Sequence, residues 1–156
     1  MVFIFWLIIW WLIGLLLIHW KEWRRGYSTA LAASLGSFLL DAAFVSGGFW
    51  GYEDPLLPGL WPHITLNLGI YPIGAWIYIQ RYPDRILHQV RWILLGTVIL
   101  LAVELNLHQL GRMYYEHGWN MGLSALANVL LLILLRLHDR WVEGRKPPLN
   151  TTDRNL

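Results

Sequence analysis

The chain has no cysteine in its 156 residues. That absence excludes a disulfide framework, a thiol nucleophile and any Cys-ligated metal site. Charge is also scarce. Asp, Glu, Lys and Arg make up 14% of the chain, against about 25% in a soluble domain. The sequence contains no phosphate-binding Gly-rich loop, no HExxH pair and no nucleophile elbow, so catalysis has no motif behind it. No internal repeat is visible, which removes support for a transporter built from inverted repeats within one chain. Net charge is only +2, and nothing in it points to nucleic acid.

What the chain has in abundance is apolar surface. Hydrophobic residues make up 56%, with 11 Trp and 7 Tyr. Five runs approach the ~20 apolar residues that cross a bilayer. They lie at Val2–Ile18, Ala30–Trp50, Leu60–Gln80, Trp92–Leu110 and Trp119–Leu135. The first has no basic start and no small-residue cleavage site, so it is expected to remain as a helix rather than leave as a signal peptide.

The charges between the runs set an orientation. Segment 19–29 carries Lys21, Arg24 and Arg25, whereas segment 51–59 carries Glu53 and Asp54 and no basic residue. Segment 81–91 carries Arg81, Arg85 and Arg91, and segment 111–118 only Arg112. The tail from residue 136 carries Arg136, Arg140, Arg145, Lys146 and Arg154. Basic loops stay on the cytoplasmic side. The alternation therefore predicts a cell-membrane protein with the N-terminus outside and the C-terminus cytoplasmic. Trp20, Trp23 and Trp92 would form the inner aromatic belt, and Trp50, Trp61 and Trp119 the outer one.

The expected fold is an all-α integral membrane protein of five transmembrane helices. Residues 1–138 form the membrane domain, and 139–156 a polar cytoplasmic tail expected to be disordered. Side chains three, four and seven apart share a helix face. Ser34, Ser37 and Asp41 line up on the second run, and His63, Asn67, Tyr71, Gly74 and Tyr78 on the third. Thr97, Glu104 and His108 line up on the fourth, and Asn120, Ser124 and Asn128 on the fifth. The first run has no polar stripe. This predicts a polar-cored bundle of helices two to five, with helix one peripheral and facing lipid. Ala30, Ala33 and Gly36, and Gly122 and Ala125, would let helices approach closely. Pro72 predicts a kink.

Two carboxylates stand out. A charged Asp or Glu deep in a span costs at least about 2.5–3.5 kcal/mol on insertion scales. Asp41 and Glu104 each lie roughly 18 Å from the inner end of their helix by helix rise. His63 and Asn67 reach similar depths, with His108, His117 and Asn120 just above. The candidate ligand-binding set is Asp41, His63, Asn67, Glu104, His108, Asn120 and Asn128, gathered in the outer half.

Four chemistries are open to such a set. Glu104, His108, His63 and Asp41 could hold a divalent metal. Asp41 and Glu104 could carry protons or cations. The set could bind a small polar ligand or lipid headgroup, or serve only as a structural polar core. The expected role is a binding or transport-type component for a small ion or polar ligand. The alternatives are a membrane-embedded metal-dependent enzyme and an accessory subunit of a larger membrane complex. Expected partners are the lipid bilayer and either another membrane protein or further copies of the chain.

At "HWKEWRR", "PHITLNL", "RYP" and "HGWNMGLSALANVLLLILLRLH" the chain resembles a family of uncharacterised small integral membrane proteins of Bacillus-type spore-forming Firmicutes. The resemblance covers most of residues 19–138. It implies a His matching His63, a Tyr-Pro pair matching Tyr82–Pro83 and an Asn matching Asn128. Asp41 falls in a stretch the family varies. A bacterial cell-membrane location follows from the resemblance; a substrate, cofactor or catalytic residue does not.

Overall fold

A computed structural model describes residues 1–56 and 59–143. Six α-helices follow in order: α1 Val2–Leu17, α2 Tyr27–Ser46, α3 Trp61–Leu68, α4 Ile70–Gln80, α5 Ile86–Gln109 and α6 Met121–Glu143. Two three-residue strands, β1 Trp50–Tyr52 and β2 Met113–Tyr115, pair antiparallel with Trp50 opposite Tyr115. Three of the helices, α2, α5 and α6, are long and apolar enough to cross a membrane by length and composition. At 1.5 Å per residue, the 16 residues of α1 reach about 24 Å.

The sheet marks one end of the bundle, called here the sheet end. β1 follows α2 and β2 follows α5. The terminal ammonium of Met1 lies 3.2 Å from Asp54 Oδ2, just past β1. The chain therefore traverses the bundle five times in alternating directions, with α3 and α4 sharing the third traverse. At the opposite end, the turn after α1 docks on Gln80. The Gln80 amide accepts from His19 N at 2.9 Å and donates to the Glu22 carbonyl at 3.3 Å. Trp76 Nε1 donates to the Arg25 carbonyl at 3.0 Å.

The third traverse breaks at Gly69 rather than bending at Pro72. Pro72 falls in the first turn of α4, where its lack of an N–H is tolerated. The carbonyl of Leu68, which Pro72 cannot serve, instead accepts from Trp11 Nε1 at 3.1 Å. A Cβ at Gly69 would stand 3.2 Å from Leu7 Cα and 3.0 Å from the Thr65 carbonyl. Glycine here lets the α1 backbone lie directly on the break.

The helix packing centres on α4, which touches α1, α2 and α6, while α5 packs chiefly on α6. Helix α1 lies outside α3 and α4 and exposes Ile4, Phe5, Ile8, Leu12, Leu15 and Leu16. Its other face is buried against the bundle, not peripheral as expected. Phe3 is completely buried, and Trp10 joins it in the main core with Ile70, Ile73, Val103 and Leu107. A run that is apolar all round gives no sign of which side packs, so this buried face is invisible in the sequence. Of the small residues, Ala30 and Ala33 are buried, whereas a Cβ at Gly36 would meet open space. Helix α6 runs on to Glu143, past the expected end of the membrane domain at residue 138. The remainder of the expected tail, residues 144–156, lies outside the described residues.

Candidate functional site

The polar stripes of α2 and α3 meet at Asp41, which is 3% exposed. Its Oδ1 accepts from Trp50 Nε1 at 3.0 Å and from the Tyr52 hydroxyl at 3.1 Å. Its Oδ2 accepts from Asn67 Nδ2 at 3.2 Å and lies 3.4 Å from His63 Nδ1. A carboxylate has about four lone-pair sites, so Asp41 is close to saturated.

Asn67 is locked in turn. Its Nδ2 also donates to the His63 carbonyl at 2.8 Å, its Oδ1 faces the Ser37 hydroxyl, and its own carbonyl accepts from Ser34 Oγ at 2.6 Å. One helix thus offers a carboxylate and two hydroxyls, and the next answers with an amide, an imidazole and a carbonyl.

Glu104 is built differently. Its Oε1 accepts from the Tyr115 hydroxyl and from Ser124 Oγ, both at 2.5 Å. Ser124 is held by Trp119 Nε1, which donates to it at 2.8 Å. Oε2 makes no hydrogen bond with any described residue. Burial, and after it the Asp41 carboxylate, push the Tyr52 phenol well above its ordinary range. Burial, then the hydrogen bond to Glu104, do the same to Tyr115. Both phenols are therefore fixed as donors to their carboxylates.

The two carboxylates line one cavity of about 120 Å³ at the sheet end of the bundle. Ser37, Tyr52, Tyr71, Ser124 and Asn128 line it beside them, with apolar walls from Leu66, Ile70, Leu100, Val103 and Leu107. Tyr71 lies within electrostatic reach of both carboxylates. Neither Tyr71 nor Asn128 spends its side chain on a hydrogen bond with a described residue. The cavity thus presents three uncommitted groups: the second oxygen of Glu104, a phenol and an amide. A volume of this size admits several waters or a small ligand, since one water needs about 10–15 Å³ on the same measure.

Of the sequence-derived set, Asp41 and Asn128 line the cavity with Glu104, and His63 and Asn67 stand directly behind Asp41. His108 and Asn120 do not line it. His108 is exposed; its Nδ1 sits 2.9 Å from the Met113 carbonyl and its ring stacks on Tyr115 at 5.3 Å, so it steadies the strand that reaches Glu104. Asn120 caps α6. Its Oδ1 accepts from the backbone N–H of Gly122 at 2.9 Å and Leu123 at 3.2 Å. His117 adopts φ +48° and places Nδ1 2.6 Å from the Gly48 carbonyl, joining the loops beneath the sheet. Among the described residues, no group of three or more His, Asp or Glu is placed to hold one metal ion.

Sequence reasoning missed Trp50, Tyr52 and Tyr115 as site residues. They lie outside the apolar helical stripes, in two short strands. Each sits in a short aromatic connection, "FWGYED" or "RMYYEHG", too brief for strand alternation to be read from it.

No family model, curated protein or solved structure matches the chain.

Proposed function

We propose that this chain is a five-span protein of the bacterial cell membrane, with its sheet end outside, and that the sheet-end cavity binds a small cation or cationic polar ligand. The reading is of a binding or transport-type component. One observation carries it: Glu104, Tyr71 and Asn128 line a single cavity, and Glu104 Oε2, the Tyr71 hydroxyl and the Asn128 amide make no hydrogen bond with a described residue. All three residues are half-buried rather than sealed in the core, so these groups keep access to a ligand. The orientation rests on the basic loops falling at the end opposite the sheet. The bacterial membrane rests on the family resemblance.

In this scheme Glu104 is the ligand acceptor, and Tyr71 and Asn128 complete its shell. Asp41 is the strut that holds β1 against α2 and α3. The test is thermal unfolding of the purified protein against graded NaCl, KCl, MgCl2 and propylamine, on parent and Glu104→Gln. Stabilisation by one of these that the Gln variant loses supports the reading. Equal response of both proteins to every additive overturns it. Cysteine placed at Glu53 or at Arg85 tests the orientation. An impermeant thiol reagent should label only the former in intact cells.

A bound divalent metal is the second reading, favoured by His63. Its Nδ1 is buried, lies 3.4 Å from Asp41 Oδ2 and makes no properly directed hydrogen bond. Elemental analysis of the purified protein decides it.

A further inference from the structure

The cavity at the sheet end is free to bond on only part of its wall. Most polar groups that reach it are already spent. The Tyr52 hydroxyl and Trp50 Nε1 donate to Asp41, Ser37 Oγ donates to Asn67, and Ser124 Oγ donates to Glu104. The groups left over are Glu104 Oε2, the Tyr71 hydroxyl and the Asn128 amide. The rest of the wall is hydrocarbon. Leu100 stands four residues before Glu104 on α5, and Leu131 three residues after Asn128 on α6, so each lies one turn from a free polar group on the same helix face. Ile70 and Val103 line the same space.

This division discriminates among cations. A divalent ion needs about six to eight oxygen ligands around it. The cavity can offer free oxygens only from Glu104, Tyr71 and Asn128, and waters completing the shell would press against leucine and valine. A primary ammonium has the opposite make-up. It carries three donors at one end, as a lysine side chain does, and bare carbon at the other. It is also charged at neutral pH, again as lysine is. Its donors match the free acceptors, and the bond to Glu104 is charge-assisted and therefore strong. No described residue holds the Asn128 amide, which can present its oxygen.

Volume sets the length of the carbon part. An apolar cavity of about 150 Å³ accommodates benzene. On that scale the cavity's volume of about 120 Å³ holds roughly five heavy atoms, an ammonium nitrogen and about four carbons.

We propose that the ligand is a short primary alkylammonium ion, its nitrogen on Glu104, Tyr71 and Asn128 and its chain of about four carbons against Leu100, Val103 and Leu131. The inference rests on the cavity reading above and adds the ligand class and its size limit.

The experiment uses the full chain in phosphatidylcholine nanodiscs. The probes are methylamine, propylamine, butylamine, hexylamine, tetramethylammonium and KCl, and the readout is the concentration giving half-maximal thermal stabilisation. Potency should rise about fourfold per methylene up to butylamine, the gain from burying each one. It should then fall at least about tenfold by hexylamine, the cost of overfilling the site. Partitioning into the bilayer raises potency at every added carbon and cannot produce that fall. Two wall variants should move the optimum in opposite directions. Ala127→Leu, at an exposed position on the cavity wall, should shift it to shorter amines, and Leu100→Ala, at a half-buried one, to longer amines. Glu104→Gln should abolish the response to every amine. Potency still rising at hexylamine, or an optimum unmoved in both wall variants, overturns the size limit and the seat of the chain. Tetramethylammonium acting as well as butylamine overturns the match of N–H donors to acceptors. Stabilisation by KCl through Glu104 without any by the amines overturns the ligand class and leaves the cavity reading intact. If no probe acts through Glu104, the cavity reading fails and takes this proposal with it.

Discussion

Asp41→Asn and Glu104→Gln are the same chemical change at two carboxylates, yet they should have opposite signatures. At Asp41 the amide must replace one of two occupied oxygens. If it replaces Oδ2, an NH2 group meets Asn67 Nδ2 at 3.2 Å and His63 Nδ1 at 3.4 Å. Asn67 cannot turn over to help, because its Nδ2 is held by the His63 carbonyl and its Oδ1 by Ser37. If the amide replaces Oδ1, it meets Trp50 Nε1 and the Tyr52 hydroxyl. Either orientation strands one or two buried donors at about 1–3 kcal/mol each and removes the charge from the surviving bonds. The expected loss is about 2–5 kcal/mol. At Glu104 the oxygen that accepts from Tyr115 and Ser124 can be kept, and the new NH2 turns into the cavity, where no described group is displaced. The expected loss there is within about 1 kcal/mol. Reversible unfolding in mixed micelles, followed by tryptophan fluorescence, measures both. Equal losses for the two variants, or a loss under about 1 kcal/mol for Asp41→Asn, would refute the division into strut and ligand acceptor.

Phe3→Ala should cost about 3–5 kcal/mol in the same unfolding assay, because Phe3 is fully buried in the main core. A helix merely resting on the bundle would lose far less. Asn120→Ala should destabilise by about 1 kcal/mol through loss of the α6 cap, Asn120→Ser should restore most of that, and neither should alter the response to amines. Tyr115→Phe and Ser124→Ala each remove one donor to Glu104 Oε1, so a double-mutant cycle on thermal stability should show coupling of at least about 0.5 kcal/mol.

Much of the bundle is legible in the sequence because long apolar helices leave a coarse mark. Helix α2 falls within four residues of its apolar run, α5 begins six residues before its run and α6 ends eight residues beyond its own, and Asp41 and Glu104 are conspicuous because a carboxylate there needs a reason. Helical spacing also put Asn67 on the face of His63 and Ser37 on the face of Asp41, which is how the strut is assembled. What the spacing does not carry is the contribution of short connections. "GFWGYED" and "GRMYYEHG" are too short for a period to emerge, yet they pair as strands and deliver a donor to each carboxylate. Asn120 was grouped with Ser124 and Asn128 by the same helical arithmetic. A residue at the N-cap obeys that arithmetic while spending its side chain on the backbone. His108 shares a face with Glu104, but at the last turn of α5 it answers to the Met113 carbonyl instead.

The hydrogen-bond inventory separates two roles that charge and depth could not. Asp41 and Glu104 look equivalent by residue type, by distance along their helices and by the cavity they share. Their difference is how many donors the surrounding chain supplies. Asp41 receives donors from β1 and α3, and both of its oxygens are taken. Glu104 receives its donors from β2 and α6, and both fall on one oxygen. The two strands that supply Tyr52 and Tyr115 are paired to each other, with Tyr52 opposite Met113 and Trp50 opposite Tyr115. Any movement of the sheet therefore acts on both carboxylates at once. Lifting it would strip Trp50 and Tyr52 from Asp41 and Tyr115 from Glu104 together, at the cost of leaving two carboxylates under-solvated in one cavity. A cation seated on Glu104 would offset part of that cost. The sheet thus ties the two carboxylates to one another, through Trp50, Tyr52 and Tyr115 of its two strands.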